Sequence, residues 1–183
     1  GYDMPLNDIG VDETWLDIAN HEGYSISSYG RVYSSRSEAF LAPSRTMQGD
    51  LKVSLYNSGE RTTRALRVLV AEAFVDYPYE QGIDGLADCD TVIVKDGNKN
   101  HIHASNLEWR PGWFAQMYAR QFPVEYDEFF FGRAVIDENT GLLYPTVVQA
   151  GLETGQLFKD IQNSTISGKP VFPSFHVFSL YHV

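Results

Sequence analysis

Leu51, Val53 and Leu55 alternate with Lys52, Ser54 and Tyr56, the period of a strand that turns one face to a core. Asn57-Ser58-Gly59 then predicts a turn, with a returning strand through Thr62, Arg64 and Leu66. Leu69, Val70, Ala73 and Phe74 follow at helical spacing, and Pro78 stops that helix. Upstream, Tyr24, Ile26 and Ser28 alternate, Ser28-Tyr29-Gly30 predicts a turn, and Arg31-Val32-Tyr33-Ser34 starts a second strand, which together make a small hairpin unit. Downstream, "WFAQMYARQF" predicts a connector helix and "VEYDEFFFG" an acidic, aromatic packed turn. "RAVIDENTGLLYPT" predicts two short strands around Asn139-Thr140-Gly141. Short helices over about 146–152 and 156–162 come next, with Leu157 and Ile161 four apart, and "PVFPSFHVFSLYHV" predicts a closing aromatic strand pair.

These elements predict an α+β chain in three regions with no low-complexity linker: an N-terminal hairpin unit (1–40), a ββα-like core with a connector helix (41–131) and a β-α-α-β C-terminal module (132–183). A chain that is 43% hydrophobic and 14% aromatic has ample material for a core. No apolar run approaches the roughly 18 residues of a membrane span, and no charged-then-apolar leader opens the chain, so a soluble protein without a membrane partner is expected. The lone Cys89 excludes an internal disulfide framework and a cysteine-rich zinc site, and reads as a bystander thiol. A net charge of -10 and a pI near 4.8 disfavour nucleic acid as a partner, because duplex binding is driven by Lys and Arg displacing counterions from phosphate.

"ETWLDIANHEGYSISSYGRVYS" resembles the nuclease-associated modular domain that opens phage and intron HNH homing endonucleases, with Glu13, Trp15, Ile18, Glu22, Gly23, Tyr24, Gly30, Val32 and Ser34 fitting its pattern. "LKVSLYNSGERTTRALRVLVAEAF" and "KDGNKNHIHASNLEW" resemble the following segments of the same family, and "YPTVVQAGLETGQLFKDI" its helix-turn-helix C-terminal module. The resemblance implies a ββα-metal nuclease fold, in which hard ligands hold one divalent ion and a histidine activates water. Counting back from Asp96-Gly97-Asn98-Lys99 puts Ile93 at the family's ligand position and Val94 at its base position. Six residues beyond Trp109, Ala115 stands where the family commonly has a ligand Asn, and Arg67 matches the family's His. All three positions that the resemblance equates with the family's catalytic residues are thus apolar, which predicts no metal, no cofactor and no catalytic residue.

His101 and His103 in the same loop read as surface imidazoles rather than a relocated site. Asp96 and Gly97 are expected to shape the turn, Asn106 to cap backbone groups and Trp109 to pack beneath the loop. Lys52, Arg61, Arg64, Arg67, Lys95 and Lys99 are the candidate nucleic-acid contacts, with some of them expected to share one stripe. The expected function is that of a catalytically inactive homing-endonuclease-like protein, bound to a phage or host protein as a virion component or as an inhibitor in the cytoplasm of an infected bacterium. The rival readings are a DNA-binding protein that does not cleave, and an endonuclease with a rebuilt site.

Overall fold

The computed structural model describes residues 12–122 and 131–182. The packed turn expected at "VEYDEFFFG" falls mostly on 123–130, outside the described residues. The chain is α+β and divides into two compact units, neither continuous in sequence. The first takes residues up to Asp76 together with Asn98–Leu107, and the second takes Tyr77–Gly97 and Glu108 onward. Boundaries drawn at residues 40 and 131 both fall inside a unit.

In the first unit, β1 (Trp15–Asp17), β2 (Tyr24–Ser27), β3 (Val32–Ser34) and β4 (Ala39–Phe40) form an antiparallel sheet in that order. The expected hairpin is therefore the middle of a four-stranded sheet. Both faces of β2 are buried, and its serines are served locally: Ser27 Oγ accepts from the backbone N–H of Tyr29 and Arg31 at 3.1 and 3.0 Å. A bidentate ion pair from Arg31 to the fully buried Glu13 carboxylate, with the guanidinium 4.5 Å from the Phe40 ring centroid, ties the edges together.

β5 (Ser44–Arg45), β6 (Leu51–Asn57) and β7 (Glu60–Ala65) make a second antiparallel sheet. The register Asn57↔Glu60 leaves Ser58-Gly59 as a two-residue turn, and Asn57, expected in the turn, ends β6. Val53 and Leu55 are buried, and α1 (Leu66–Phe74) packs its Leu66, Leu69 and Val70 side against β2, β6 and β7. Leu66, expected at the end of the strand, opens the helix instead.

In the second unit, β8 (Thr91–Val94) pairs with β9 (Leu107–Arg110), and α2 (Gly112–Arg120) follows, packing on β8. This strand-strand-helix run is the one that carries the positions equated with the family's site, whereas the sequence pattern places its ββα order at β6, β7 and α1. β10 (Val135–Asp137) takes β11 (Leu143–Tyr144) on one side and β12 (Phe178–Leu180) on the other. The closing aromatic segment is thus not a strand pair of its own: β12 is claimed by β10, and among the described residues only an isolated bridge, Val171↔His176, remains within it.

Two short helices complete the module, α3 (Val147–Thr154) and α4 (Phe158–Ser167). The α3 N-terminus is capped by Thr146, whose hydroxyl accepts from Gln149 N–H at 3.0 Å. The helices approach so closely that a Cβ on Gly151 would lie 2.3 Å from the Phe158 ring. Val135, Tyr144, Val147, Ala150, Phe158, Ile161, Val171 and Phe178 form their common core.

Candidate functional site

The end of β8 turns through Asp96-Gly97, with Gly97 N–H donating to Val94 O at 3.0 Å. Gly97 has φ +75°, and a Cβ there would meet the Phe122 ring at 2.9 Å, so both backbone and packing require glycine. Asn98 makes the next bend by accepting from Asn100 N–H at 3.0 Å. Asn106 donates from Nδ2 to His101 O at 2.9 Å, which is the backbone-satisfying role its sequence position predicts. Trp109 is buried and stacks on Tyr77, their ring centroids 5.0 Å apart.

The three positions equated with ligand, base and second ligand lie on β8 and α2. Ile93 and Val94 are 3% and 6% exposed, so both point inward. Ile93 forms one apolar cluster with Phe114, Tyr118 and Leu157, and Ala115 packs against it. The fold therefore places Ile93 in, and Ala115 against, one and the same cluster, and that cluster is made of carbon. A divalent ion takes oxygen or imidazole donors, and these side chains offer none; the residues at these positions do not fit a metal. Burying an Ile stabilises by about 1.5–3 kcal/mol, whereas a buried polar group left unpaired costs about 1–3 kcal/mol, so an apolar residue at position 93 favours packing.

The loop histidines are engaged in structure. His103 Nδ1 accepts from Ser105 N–H at 3.1 Å, capping the short 3-10 turn Ala104–Asn106, and its ring lies 4.8 Å from that of Tyr29. His101 stands 6.4 Å from His103, ring to ring, and is exposed. Among the described residues no group of three or more His, Cys, Asp or Glu side chains is placed to hold a metal ion.

Of the six candidate basic contacts, two on the hairpin share a face. Lys52 and Arg61 share the outer face of the β6–β7 hairpin with Ser54, Tyr56 and Thr63, while Arg64 is opposite Val53 and belongs to the other face. Arg64 pairs with Glu72 at 2.7 Å, and Arg67 pairs with Asp50. Lys99 reaches Asp50 at 3.5 Å and donates to Gln48 O at 2.6 Å. Lys95 lies 3.7 Å from Glu108 and 3.3 Å from Glu153 O. Four of the six charges are thus offset by carboxylates of the same chain. Asp50, which links Arg67 to Lys99, is invisible to sequence reasoning, because nothing in the spacing of 50, 67 and 99 announces the cluster.

No family model matches the sequence. The DNA endonuclease I-HmuI of Bacillus phage SP01 is 34% identical over 96 residues, which are 52% of this chain and 51% of that enzyme. An uncharacterized HNH endonuclease of Acanthamoeba polyphaga mimivirus is 30% identical over 98 residues, 51% of this chain and 26% of that protein. The solved structure of the HNH homing endonuclease I-HmuI matches with a TM-score of 0.51 and 23% identity, covering 93% of this chain and 99% of that one.

The chain is HNH homing endonuclease-like. The match that spans nearly all of both chains is one of fold, and agrees with the α+β architecture and its four described helices. In sequence, the HNH-like chain matches about half the length of the phage relative and about a quarter of the mimivirus one.

Proposed function

We propose that this HNH-like chain does not cleave nucleic acid and serves as a protein-binding or structural component in a phage particle or an infected bacterium. The observation that carries the reading is the apolar cluster at the positions equated with the family's site: Ile93 belongs to it and Ala115 packs against it, where hard donors would be required. The acidic balance and the internal pairing of Arg64, Arg67, Lys95 and Lys99 point the same way, since both weaken attraction to phosphate. Exposed Trp113 and Met117, one turn apart on α2, supply an apolar surface of the kind that protein interfaces use as anchors.

Incubation of supercoiled and linear duplex DNA with the chain in Mg²⁺ and in Mn²⁺ is expected to leave the DNA intact. Metal-dependent cleavage abolished by His101→Ala or His103→Ala would overturn the proposal and establish a rebuilt site. Cross-linking in infected cells is expected to capture a phage or host protein. Recovery of DNA alone would favour a non-cleaving DNA-binding role, for which Lys52 and Arg61 on their shared face are the available cations.

A further inference from the structure

The second unit contains a cavity of about 380 Å³ whose polar lining combines buried groups with exposed Thr140 and Ser174 at its mouth. Arg110, Asp137 and Gln156 border it, each at most 3% exposed. The Arg110 guanidinium donates from Nε to Gly155 O (3.1 Å), from Nη1 to Trp109 O (2.8 Å) and from Nη2 to Thr154 O (3.0 Å). Its carboxylate neighbour Glu108 stands 3.9 Å away, beyond hydrogen-bond length. Asp137 Oδ1 accepts from the N–H of Asn139 and Thr140 at 2.9 and 3.2 Å, and Oδ2 is 2.7 Å from His176 Nδ1. Ser174 donates to Gln156 Oε1 at 2.6 Å, and Gln156 Nε2 donates to Thr154 Oγ1 at 2.9 Å.

In this network the acceptors are used and donors are left over. Both Asp137 oxygens and the Gln156 carbonyl are engaged. A guanidinium has five N–H groups and an amide two, so Arg110 and Gln156 retain donors beyond the bonds they make. Tyr144 also lines the cavity, is 6% exposed, and its hydroxyl has no hydrogen-bond partner among the described residues. Burial, with Asp137 and then Glu153 nearby, pushes that hydroxyl above its usual range and keeps it a donor at neutral pH.

We infer that this cavity binds the oxyanion group of a small free molecule, a phosphate or a carboxylate, with Arg110, Tyr144 and Gln156 as its donors. Its volume lies in the range of small-molecule sites and exceeds that of the bare anion, so the group belongs to a larger organic molecule. The three donors, Arg110, Tyr144 and Gln156, are buried side chains, which suits a free small molecule better than the backbone of a duplex. Asp137 is engaged by two backbone N–H groups and His176, and because its charge, with that of Glu153, disfavours negative charge at the Tyr144 hydroxyl, the Arg110 guanidinium must outweigh it for an anion to bind.

The test titrates the whole chain at constant ionic strength with inorganic phosphate and, separately, with acetate, following the His176 ring by NMR and the melting temperature. One of the two is expected to shift His176 saturably and raise Tm, which also identifies phosphoryl or carboxylate as the group. Tyr144→Phe removes one donor and no carbon, and is expected to weaken that affinity about tenfold. Tyr181→Phe, at an exposed ring outside the cavity, is expected to leave it unchanged. Absence of saturable binding by either anion, or equal affinity in the Tyr144→Phe variant, would overturn the inference. Should that variant fold poorly, the titration of the unsubstituted chain decides alone.

Discussion

At residue 97 a left-handed backbone and a packed ring impose the same requirement. Gly97→Ala is expected to lower stability by about 2–4 kcal/mol, read as a fall in the urea midpoint at unchanged slope, because the strain of φ +75° adds to a Cβ 2.9 Å from Phe122. Ile93 tests the filled site directly. Ile93→Ala should cost about 2–5 kcal/mol through the cavity it leaves beside Phe114 and Leu157. Ile93→Asn should cost more, because the amide would be buried among carbon without partners; equal or greater stability of the Asn variant would mean that donors still reach this position. The motif made residues 93, 97, 106 and 109 legible, since each is a fixed offset from Asp96-Gly97-Asn98-Lys99. The pairing of Asp50 with Arg67 and Lys99 was not, because it is made by the fold and has no local period.

At the scale of elements, the β6–β7 hairpin, α1, α2 and the β10–β11 pair follow from alternation, helical spacing and turn residues. So does the β2–β3 hairpin, from the alternation of Tyr24 and Ile26 and the turn before Arg31, but β1, β4 and β5 do not, because strands of two or three residues hold no full period and no turn signal flags these three. β12 was misassigned because an aromatic run shows that a strand is buried but not which strand it pairs with. Thr146 was read as a helical residue and is the cap: Thr146→Ala is expected to cost about 1 kcal/mol, seen as a drop in Tm. The hairpin also separates the two non-catalytic readings. If DNA contacts its outer face, Lys52→Ala and Arg61→Ala should each reduce the slope of log affinity against log salt by about 0.9, whereas Arg64→Ala, on the opposite face, should not. A uniform effect of all three would show that bulk charge, rather than this surface, governs the binding.

Over the whole molecule, the fold is like that of an HNH homing endonuclease, the net charge is -10, and the residues equated with the family's site are apolar. Net charge was available from composition alone; how the positive charge is spent was not, since Arg64, Arg67, Lys95 and Lys99 find their carboxylates only in three dimensions. The division of the chain has a practical side as well. Residues 98–107 belong with the N-terminal 76, although 21 residues of the other unit intervene. Ala104 N–H donates to Ser28 O at 2.8 Å, and Ile102 lies against Gly30 so tightly that a Cβ there would come within 2.7 Å of its carbonyl oxygen. A fragment ending at Asp76 would lack both neighbours, and one beginning at Tyr77 would carry ten residues whose packing partners had been cut away. Gene fragments split at either border should therefore yield poorly folded products, and neither unit can be moved to another protein as a single cassette.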